Sequence, residues 1–513
     1  MSRSVRDRLR SWVRAEPAAP LDVETWSAPA AREGDIPGAE DCSELLWARG
    51  FLLTAEAHRP PLPHWRRERL GGRWLSWDPR TPLAVARAGS AWAAVLGRAI
   101  DLDGFSGDTA AIAATLLRAR AGGGREALLE RLDALSGRYA VFDGDEHSAF
   151  VQTDAAGMRA VFYRDGAPEP AVASHAGLVA EHTGAGPSAF PDPELLRAAE
   201  GAYALPGRAT TFADVVMLTP NTELDLVGGR VRRCFPRRAR ERRTAGEVVD
   251  AVLPLLQGQL AALTETERLE VSLTAGLDSR TTLALTRPFT EKLSYFTYDT
   301  VGSGGPTRRG VQHDVAVAAE LAGRLGLEHH RIEVERRTPA EPLRSVMERN
   351  SPRRSHPGLS EAHRAHTPER GLHLRSNLYE IGRAYYRSKR EQPRTLKPAH
   401  MVGLLTKGRS QSPELRAAFA EYVDATGFDR AQRLYDPSDL FYWEHRSGMW
   451  LNAHLSESDI AFDTFILVNS RLVYRLLLSA PLKDRIAGTV FLELIRRSWP
   501  EVLEVPVNGE TLR

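Results

Sequence analysis

The chain has 513 residues, too many for one ordinary core, so two domains are expected. Its 42% hydrophobic and 26% charged residues are the proportions of a soluble globular protein, and no stretch approaches the roughly 20 apolar residues that a membrane helix needs. Lys+Arg number 68 against 66 Asp+Glu, a formal charge of +2, which argues against a dedicated nucleic-acid binder, and the two cysteines, Cys42 and Cys234, argue against a disulfide framework or a clustered zinc site. The start, MSRSVRDRLRSWVRAEP, is rich in arginine and lacks the apolar core of a secretory signal. With so few cysteines, a cytoplasmic, membrane-free protein is expected.

Residues 1–90 mix Pro- and Ala-rich turns with short apolar segments and give no clear period. From Ala91 the pattern sharpens. AWAAVLGRAIDLDG reads as strand and turn, DTAAIAATLLRARAGG as an amphipathic helix closed by glycines, and ALLERLDALSGRYAVFDGD as helix, glycine turn and strand. SAFVQTDAAGMRAVFYRDG reads as two strands around a turn at Ala155–Gly157; EPAVASH and TELDLVGGRVRRCF add strands. This half predicts a layered α/β or α+β domain rich in antiparallel pairs.

The run PRRARERR, residues 236–243, predicts a solvated linker and a domain boundary near residue 240. Thr244 and Glu247 have the spacing of a capping box, followed by apolar residues at helical spacing from Val249 to Leu263, with Pro254 placed to bend the helix. Then LEVSL (269–273) reads as strand, RTTLALTR as helix, LSYFTY (293–298) as strand, DVAVAAELAGRLG (314–326) as helix and HHRIEV as strand. Such alternation predicts a parallel sheet with crossover helices. Residues 335–371 are polar and rich in Pro, Arg and His, and predict a loop or lid; from Pro413 onward the chain reads as mostly helical.

One stretch carries chemistry. In VSLTAGLDSR an apolar strand ends in Thr274, Ala275 and Gly276, followed by Asp278 and Ser279 at the start of a helix. Ligands of a parallel sheet bind beyond the carboxyl ends of its strands. Small residues let backbone approach a ligand, and helix-initial N–H groups favour anions. Thr274 and Ser279 offer hydroxyls to phosphate oxygens. Asp278 would repel phosphate and makes sense as a ligand for a bridging Mg²⁺. The Walker lysine loop is absent. The alternative is a tight strand-to-helix turn with a capping aspartate.

The stretch Thr274-Ala275-Gly276-Leu277-Asp278-Ser279 resembles the Ser-Gly-Gly-x-Asp-Ser pyrophosphate loop of the ATP pyrophosphatase superfamily. Its surroundings are similar to the asparagine synthetase family. LSYFTYDT resembles the second strand, which contacts adenine in that family, and HDVAVAAELAGRLGLEHHRIEV the next helix and strand. LSGRYAVFDGD, VQTDAAGMRAVFY and VASHAGLVAE resemble successive pieces of its class II glutamine amidotransferase domain. The resemblance runs from roughly Ala91 to the C terminus and implies an α/β protein in three stretches: residues 1–90, a divergent amidotransferase-like beginning; 91–240, a degenerate α+β sandwich of the N-terminal-nucleophile type; and 241–513, a synthetase domain with a parallel sheet and a helical C-terminal part. It implies ATP with Mg²⁺, adenylation of a carboxylate with release of pyrophosphate, and displacement of AMP by a nitrogen nucleophile. The implied nucleotide and pyrophosphate residues are Ser272, Leu273, Thr274, Ala275, Gly276, Asp278, Ser279 and Tyr298.

Three departures shape that expectation. A working amidotransferase needs cysteine directly after the initiator methionine, and Ser2 stands there, so glutaminase activity is not expected. The family's second glycine-rich stretch corresponds to LRSNLYEIGRAYYR (374–387): Glu380 matches a glutamate, Tyr379 replaces a metal-holding aspartate, and Arg375 and Arg383 stand where small residues are expected. Asp278 and Glu380 are then the metal candidates, and Glu380, Arg383 and Arg375 the catalytic ones. Each arginine can grip phosphate bidentately or partner a buried carboxylate. Tyr385 and Tyr386 read as packing. The family lysine near the end of the domain has no counterpart in LEVPVNGETLR (503–513); Arg513 is a poor substitute, and Lys483, one of five lysines, lies too early and reads as a solvated helix residue. Upstream, LSESDIAFDTFILVNSRLVYRLLLSAP resembles the family's Glu-x-Arg…Pro-Phe-Leu-Asp region, with Glu457 and Arg471 in matching places and Asn469 near the expected aspartate. Glu444 and Arg446 read as a surface ion pair, and His313, His329 and His330 as structural, His330 matching a family histidine.

The expected activity is an amide ligase that uses a substrate amine or free ammonia on a small-molecule or peptide carboxylate, as β-lactam and lasso-peptide macrolactam synthetases do, in specialised metabolism. The alternative is a nucleotide-binding, non-catalytic partner or regulator. The oligomeric state is not specified by the sequence.

Overall fold

The computed structural model describes residues 21–188, 205–301, 305–335, 338–351, 357–366, 371–409 and 411–507. Ser2 and residues 508–513, including Arg513, lie outside them. The chain divides into two compact units. The first comprises Met1–Ala239, Ser345–Ser355 and Gln392–Ser456, the second Arg240–Arg344, His356–Glu391 and Glu457–Arg513. The first division falls inside PRRARERR. Two later segments also cluster with the first unit, where one unbroken domain was expected from residue 241 on.

The first unit holds two antiparallel sheets. One has seven strands in the order Glu24–Ala28, Leu83–Ala88, Ala91–Asp101, Leu135–Gly144, Ala149–Thr153, Thr222–Asp225 and Val231–Arg233. The other has six, in the order Val215–Met217, Phe162–Arg164, Val172–Ala173, Phe51–Thr54, Arg73–Trp77 and Arg66–Leu70. Period-2 alternation explains the layering. On the strand Ala91–Asp101, Ala94 and Leu96 join a core with Phe51, Leu53 and Tyr163 of the other sheet. Ala93 and Val95 point the opposite way, onto Ile112, Leu116 and Leu117 of the helix Thr109–Asp133. That helix starts at Asp108, whose carboxylate accepts from the Ala110 and Ala111 N–H groups, and is broken at Gly124, where φ is 67°.

The strands on either side of Ala155–Gly157 do not form a hairpin, because they belong to different sheets. Asp154 holds the crossing: its carboxylate accepts from the N–H groups of Ala156, Met158 and Arg159. The segment 392–456 packs in this unit through aromatic rings, with Phe235 against Tyr435 and Trp443 and the Trp443 indole N–H donating to Ala155 O.

The second unit is built on five parallel strands in the order His329–Glu335, Leu293–Val301, Leu269–Ser272, Leu372–Leu374 and Thr464–Phe465. The helix Ala245–Thr266 opens with the capping box of Thr244 and Glu247 and carries Pro254 in its interior. The crossover helices are Leu277–Leu285 and Gly305–Leu325. The expected loop 335–371 contains two helices, Leu343–Asn350 and Pro357–His366. Each is short, and the first buries only Val346, Met347 and Asn350, too few apolar positions to stand out in a polar stretch. Among the described residues no helix is long and apolar enough to cross a membrane.

Glu444 is not on the surface. It is fully buried in the π-helix Tyr442–Leu451, where its carboxylate takes Arg233 Nη1 at 2.7 Å and Nη2 at 3.0 Å, Asn221 Nδ2 at 3.0 Å and the Tyr422 hydroxyl at 3.2 Å. Arg233 is remote in sequence, so local spacing pointed instead to Arg446. Removing one member of a buried pair strands the other charge. Glu444→Ala is expected to destabilise the protein by about 3–5 kcal/mol, against about 1 kcal/mol or less for a surface pair, as read from urea unfolding.

Candidate functional site

Parallel register assembles the site. Val271 pairs with Tyr295 on one side and Leu374 on the other, and Ser272 pairs with Phe296. The strands of Ser272 and Leu374 therefore end side by side, with Arg375 just past Leu374, while the neighbouring strand runs on past Phe296 to Val301 and carries Tyr298 beside them.

The central strand turns sharply into a helix. The buried Leu273 N–H still donates to Phe296 O at 2.8 Å, and Gly276 then caps the helix Leu277–Leu285. Ser279 is buried under the corner. Its oxygen accepts from the Thr274 N–H at 3.1 Å, sits 2.9 Å from Thr274 Oγ1, and faces the Thr274 and Gly276 carbonyls at 2.9 and 3.1 Å. The Ala275 N–H donates to Asp314 Oδ1 at 2.8 Å, and the Gly276 N–H to Thr274 Oγ1 at 3.3 Å. Gly276 has an ordinary φ of −76°, and a Cβ there would meet only Thr274 Oγ1, at 3.5 Å. The glycine keeps the outer face of the corner open. Arg280 anchors it from below: its guanidinium donates to Ala275 O and to the Val502, Val505 and Pro506 carbonyls, and burial pushes its pKa down to about 10.

The charge lies on the first helical turn. Asp278 Oδ2 accepts from Arg383 Nη2 at 2.8 Å, while Oδ1 is buried without a hydrogen-bond partner. Burial, and then the neighbouring Glu380 carboxylate, push Asp278 up to about 8 against the opposing pull of Arg383. Two adjacent carboxylates with an orphaned oxygen suit a hard divalent cation. Among the described residues there is no cluster of three acidic, His or Cys groups, yet Mg²⁺ typically takes only one or two carboxylates together with substrate phosphates. The residues fit Mg²⁺ on those terms.

Glu380 and Arg383 line an open cleft of about 240 Å³ together with Leu277, Tyr385, Lys389 and Gly488. Gly488 has φ +69°, and a Cβ there would come within 2.9 Å of Leu277 Cδ2. Lys389, absent from the sequence-based candidates, lies with its Nζ 4.6 Å from the centre of the Tyr385 ring. Its signal was position alone: it follows the 374–387 stretch and is one of five lysines.

The other candidates are distributed around this centre. Tyr379 is fully buried, with its hydroxyl 2.8 Å from Thr282 Oγ1, so it braces the loop helix. Arg375 donates from Nε to Asn377 Oδ1 at 2.5 Å. His329 Nε2 meets Thr297 Oγ1 at 2.9 Å, and His330 pairs with Glu328 at the surface. Glu457, Asn469 and Arg471 are buried and do not line the cleft, and Lys483 is exposed.

No family model matches this sequence, and no curated protein does. Partial structural likenesses exist. Glutamine-dependent NAD⁺ synthetase from Acinetobacter baumannii, in complex with ADP, shares 14% identity over 39% of this chain and 44% of its own, with a TM-score of 0.20. Glutamine phosphoribosylpyrophosphate amidotransferase from B. subtilis, complexed with ADP and GMP, shares 11% over 60% of this chain and 65% of its own, at 0.22. NH₃-dependent NAD synthetase from Campylobacter jejuni, with nitrate ion, shares 15% over 41% of this chain and 96% of its own, at 0.20. The chain thus spans less than half of the first and just under two thirds of the second. Scores this low assign neither fold nor activity.

Asp278 makes apo-protein stability depend on pH. Its folded pKa, about 8, lies above the ordinary value, so the folded state holds more protons between the two and stability falls as pH rises through that window, the cost being full above pH 8. Asp278→Asn is expected to lack this fall. In calorimetry without nucleotide or metal, its Tm should exceed that of the wild type at pH 8 and match it near pH 4.

Proposed function

We propose that the second unit is an ATP-dependent amide-forming ligase of the ATP pyrophosphatase superfamily, of the asparagine synthetase kind. The observation that carries this reading is the orphaned oxygen of Asp278 beside Glu380, on the first turn after a parallel strand. ATP lays its pyrophosphate on the corner Ser272–Gly276, where Thr274 is the exposed hydroxyl and Ser279 braces the loop from beneath. Tyr298 flanks the nucleotide from the neighbouring strand. Mg²⁺ held by Asp278 and Glu380 supplies charge neutralisation across the phosphates. Arg383, Lys389 and Arg375 are the cations for charge developing at the α-phosphate.

A substrate carboxylate oxygen attacks the α-phosphorus, the bond to pyrophosphate breaks, and an acyl-adenylate forms. An amine nitrogen then attacks the acyl carbon and AMP departs. Holding both reactants in one cleft supplies much of the acceleration. The nitrogen comes from a substrate amine or free ammonia. The first unit is then a degenerate amidotransferase-like domain, and the setting is cytoplasmic synthesis of a macrolactam or another specialised metabolite.

A second reading, a nucleotide-binding partner without catalysis, draws on the Asp314 carboxylate already seated on the Ala275 N–H and on Tyr379 in place of an aspartate. Exchange of labelled pyrophosphate into ATP separates the two, using a panel of amino acids, N-acyl amino acids and short linear peptides. The ligase is expected to exchange with a subset of the panel. Asp278→Ala and Lys389→Met should each lower the rate by about 100-fold or more, the usual cost of removing a charge-stabilising group. ATP binding with no exchange across the panel supports the second reading.

A further inference from the structure

We propose that Tyr298, His363 and Glu270 form a proton relay that accepts the proton of the attacking amine. The inference rests on the ligase reading and adds to it the acid–base group that the amide-forming step requires.

Glu270 lies on the central strand and is 2% exposed. A carboxylate buried there must be paired or hydrogen-bonded. His363, fully buried on the helix Pro357–His366, brings Nε2 to within 3.2 Å of Glu270 Oε2, and the Gly371 N–H donates to the other oxygen at 3.4 Å. The opposite ring nitrogen, His363 Nδ1, is 3.0 Å from the Tyr298 hydroxyl. These contacts give the chain a direction. In the tautomer that donates from Nε2 to Glu270, Nδ1 is left as an acceptor for the Tyr298 O–H. The helix is held in place by the Ser360 hydroxyl, which donates to Glu457 O at 2.8 Å.

Tyr298 is half-buried in the C-terminal half of its strand, two residues past the Phe296 that pairs with Ser272 of the strand carrying the corner. Phe296, Phe462 and His373 pack around His363 and keep water from it. Burial holds His373 well below the usual histidine range, so it does not compete for the proton, and burial raises the Tyr298 phenol, so it rests protonated. Arg375 is the other charged group acting on Tyr298.

In the step, the amine N–H bond breaks as the N–C bond forms. That proton passes to the Tyr298 oxygen, the original phenol proton passes to His363 Nδ1, and Glu270 balances the imidazolium. After AMP and product leave, the proton returns to solvent by the same path, with no change of oxidation state. A merely structural role would have His363 neutralise Glu270 and nothing more.

The two roles differ in how they respond to the basicity of the nucleophile. The attacking nitrogen must shed one proton as the N–C bond forms: the adduct of ammonia or an alkyl amine is weakly acidic and needs a base, whereas the adduct of hydroxylamine, a far weaker base, loses its proton with little help. Wild type, Tyr298→Phe, His363→Gln and Glu270→Gln are given ATP, the panel acyl donors that support exchange, and ammonium chloride or hydroxylamine in parallel, so that effects on nucleotide binding cancel in the ratio of the two products. The ratio of amide to hydroxamate is expected to fall about 100-fold in Tyr298→Phe and His363→Gln, within the usual range for general acid–base catalysis. A ratio within about threefold of wild type in a folded Tyr298→Phe overturns the relay, threefold being far below any acid–base contribution. If the buried substitutions prevent folding, Tyr298→Phe, which removes one oxygen from a half-buried side chain, decides alone. A wild type that forms neither product and shows no exchange overturns the ligase reading, and the relay with it; exchange with an unchanged ratio overturns only the relay.

Discussion

The site depends on one constraint, the parallel pairing of Leu269–Ser272 between Leu293–Val301 and Leu372–Leu374. Parallel strands end on the same side, so a corner, a phenol and a guanidinium far apart in sequence are delivered to one edge. Shifting either neighbour by one residue would turn its side chains to the opposite face. Buried apolar positions oppose such a slip: Val271, Tyr295 and Leu374 are fully buried and sit opposite one another across the three strands.

Among the carboxylates that the chain takes largely out of water are Glu270 on the central strand of that sheet, Asp278 on the helix that follows it, and Glu444 in the first unit. Asp278 is only half served, by Arg383, and is pressed by Glu380. Glu270 is served by a histidine that itself opens toward Tyr298. Glu444 differs in kind: each of its oxygens has an arginine nitrogen, and an amide and a phenol complete the set. Full satisfaction marks a structural network and partial satisfaction a working one, because a desolvated group with an open valence gains most from a ligand. By this criterion Asp278 is poised for a cation and Glu444 is not.

The parts of this architecture readable from sequence were those written in short-range periodicity. The alternation from 245 to 335, the capping box at Thr244 and the strand-to-helix corner all depend on neighbours within a few residues. The strands within residues 21–90 escaped because their alternation is interrupted by arginine and tryptophan, as in RRERL and RWLSW. Lys389 and His363 escaped for another reason. Their meaning comes from partners brought near by the sheet, and nothing in the sequence around His363 announces Glu270. The return of segment 392–456 to the first unit is likewise a matter of which apolar rings find each other, and Phe235 with Trp443 is a pairing no local pattern encodes.

The corner combines a rigid base with an exchangeable rim. Ser279 and Arg280 bind its carbonyls from within, and Arg280 also gathers the carbonyls of Val502, Val505 and Pro506, so the base of the corner is fixed before any ligand arrives. The Ala275 N–H, by contrast, is satisfied by a carboxylate on another helix, Asp314. A carboxylate and a phosphate oxygen are alternative acceptors for the same N–H, and the helix dipole favours either. Anion binding at that N–H is therefore an exchange of one acceptor for another, which avoids leaving a buried donor unpaired in either state. A corner with a fixed base and one exchangeable acceptor can keep its shape while that acceptor is exchanged, and the carboxylates Asp278 and Glu380 and the cations Arg383 and Lys389 are set around it.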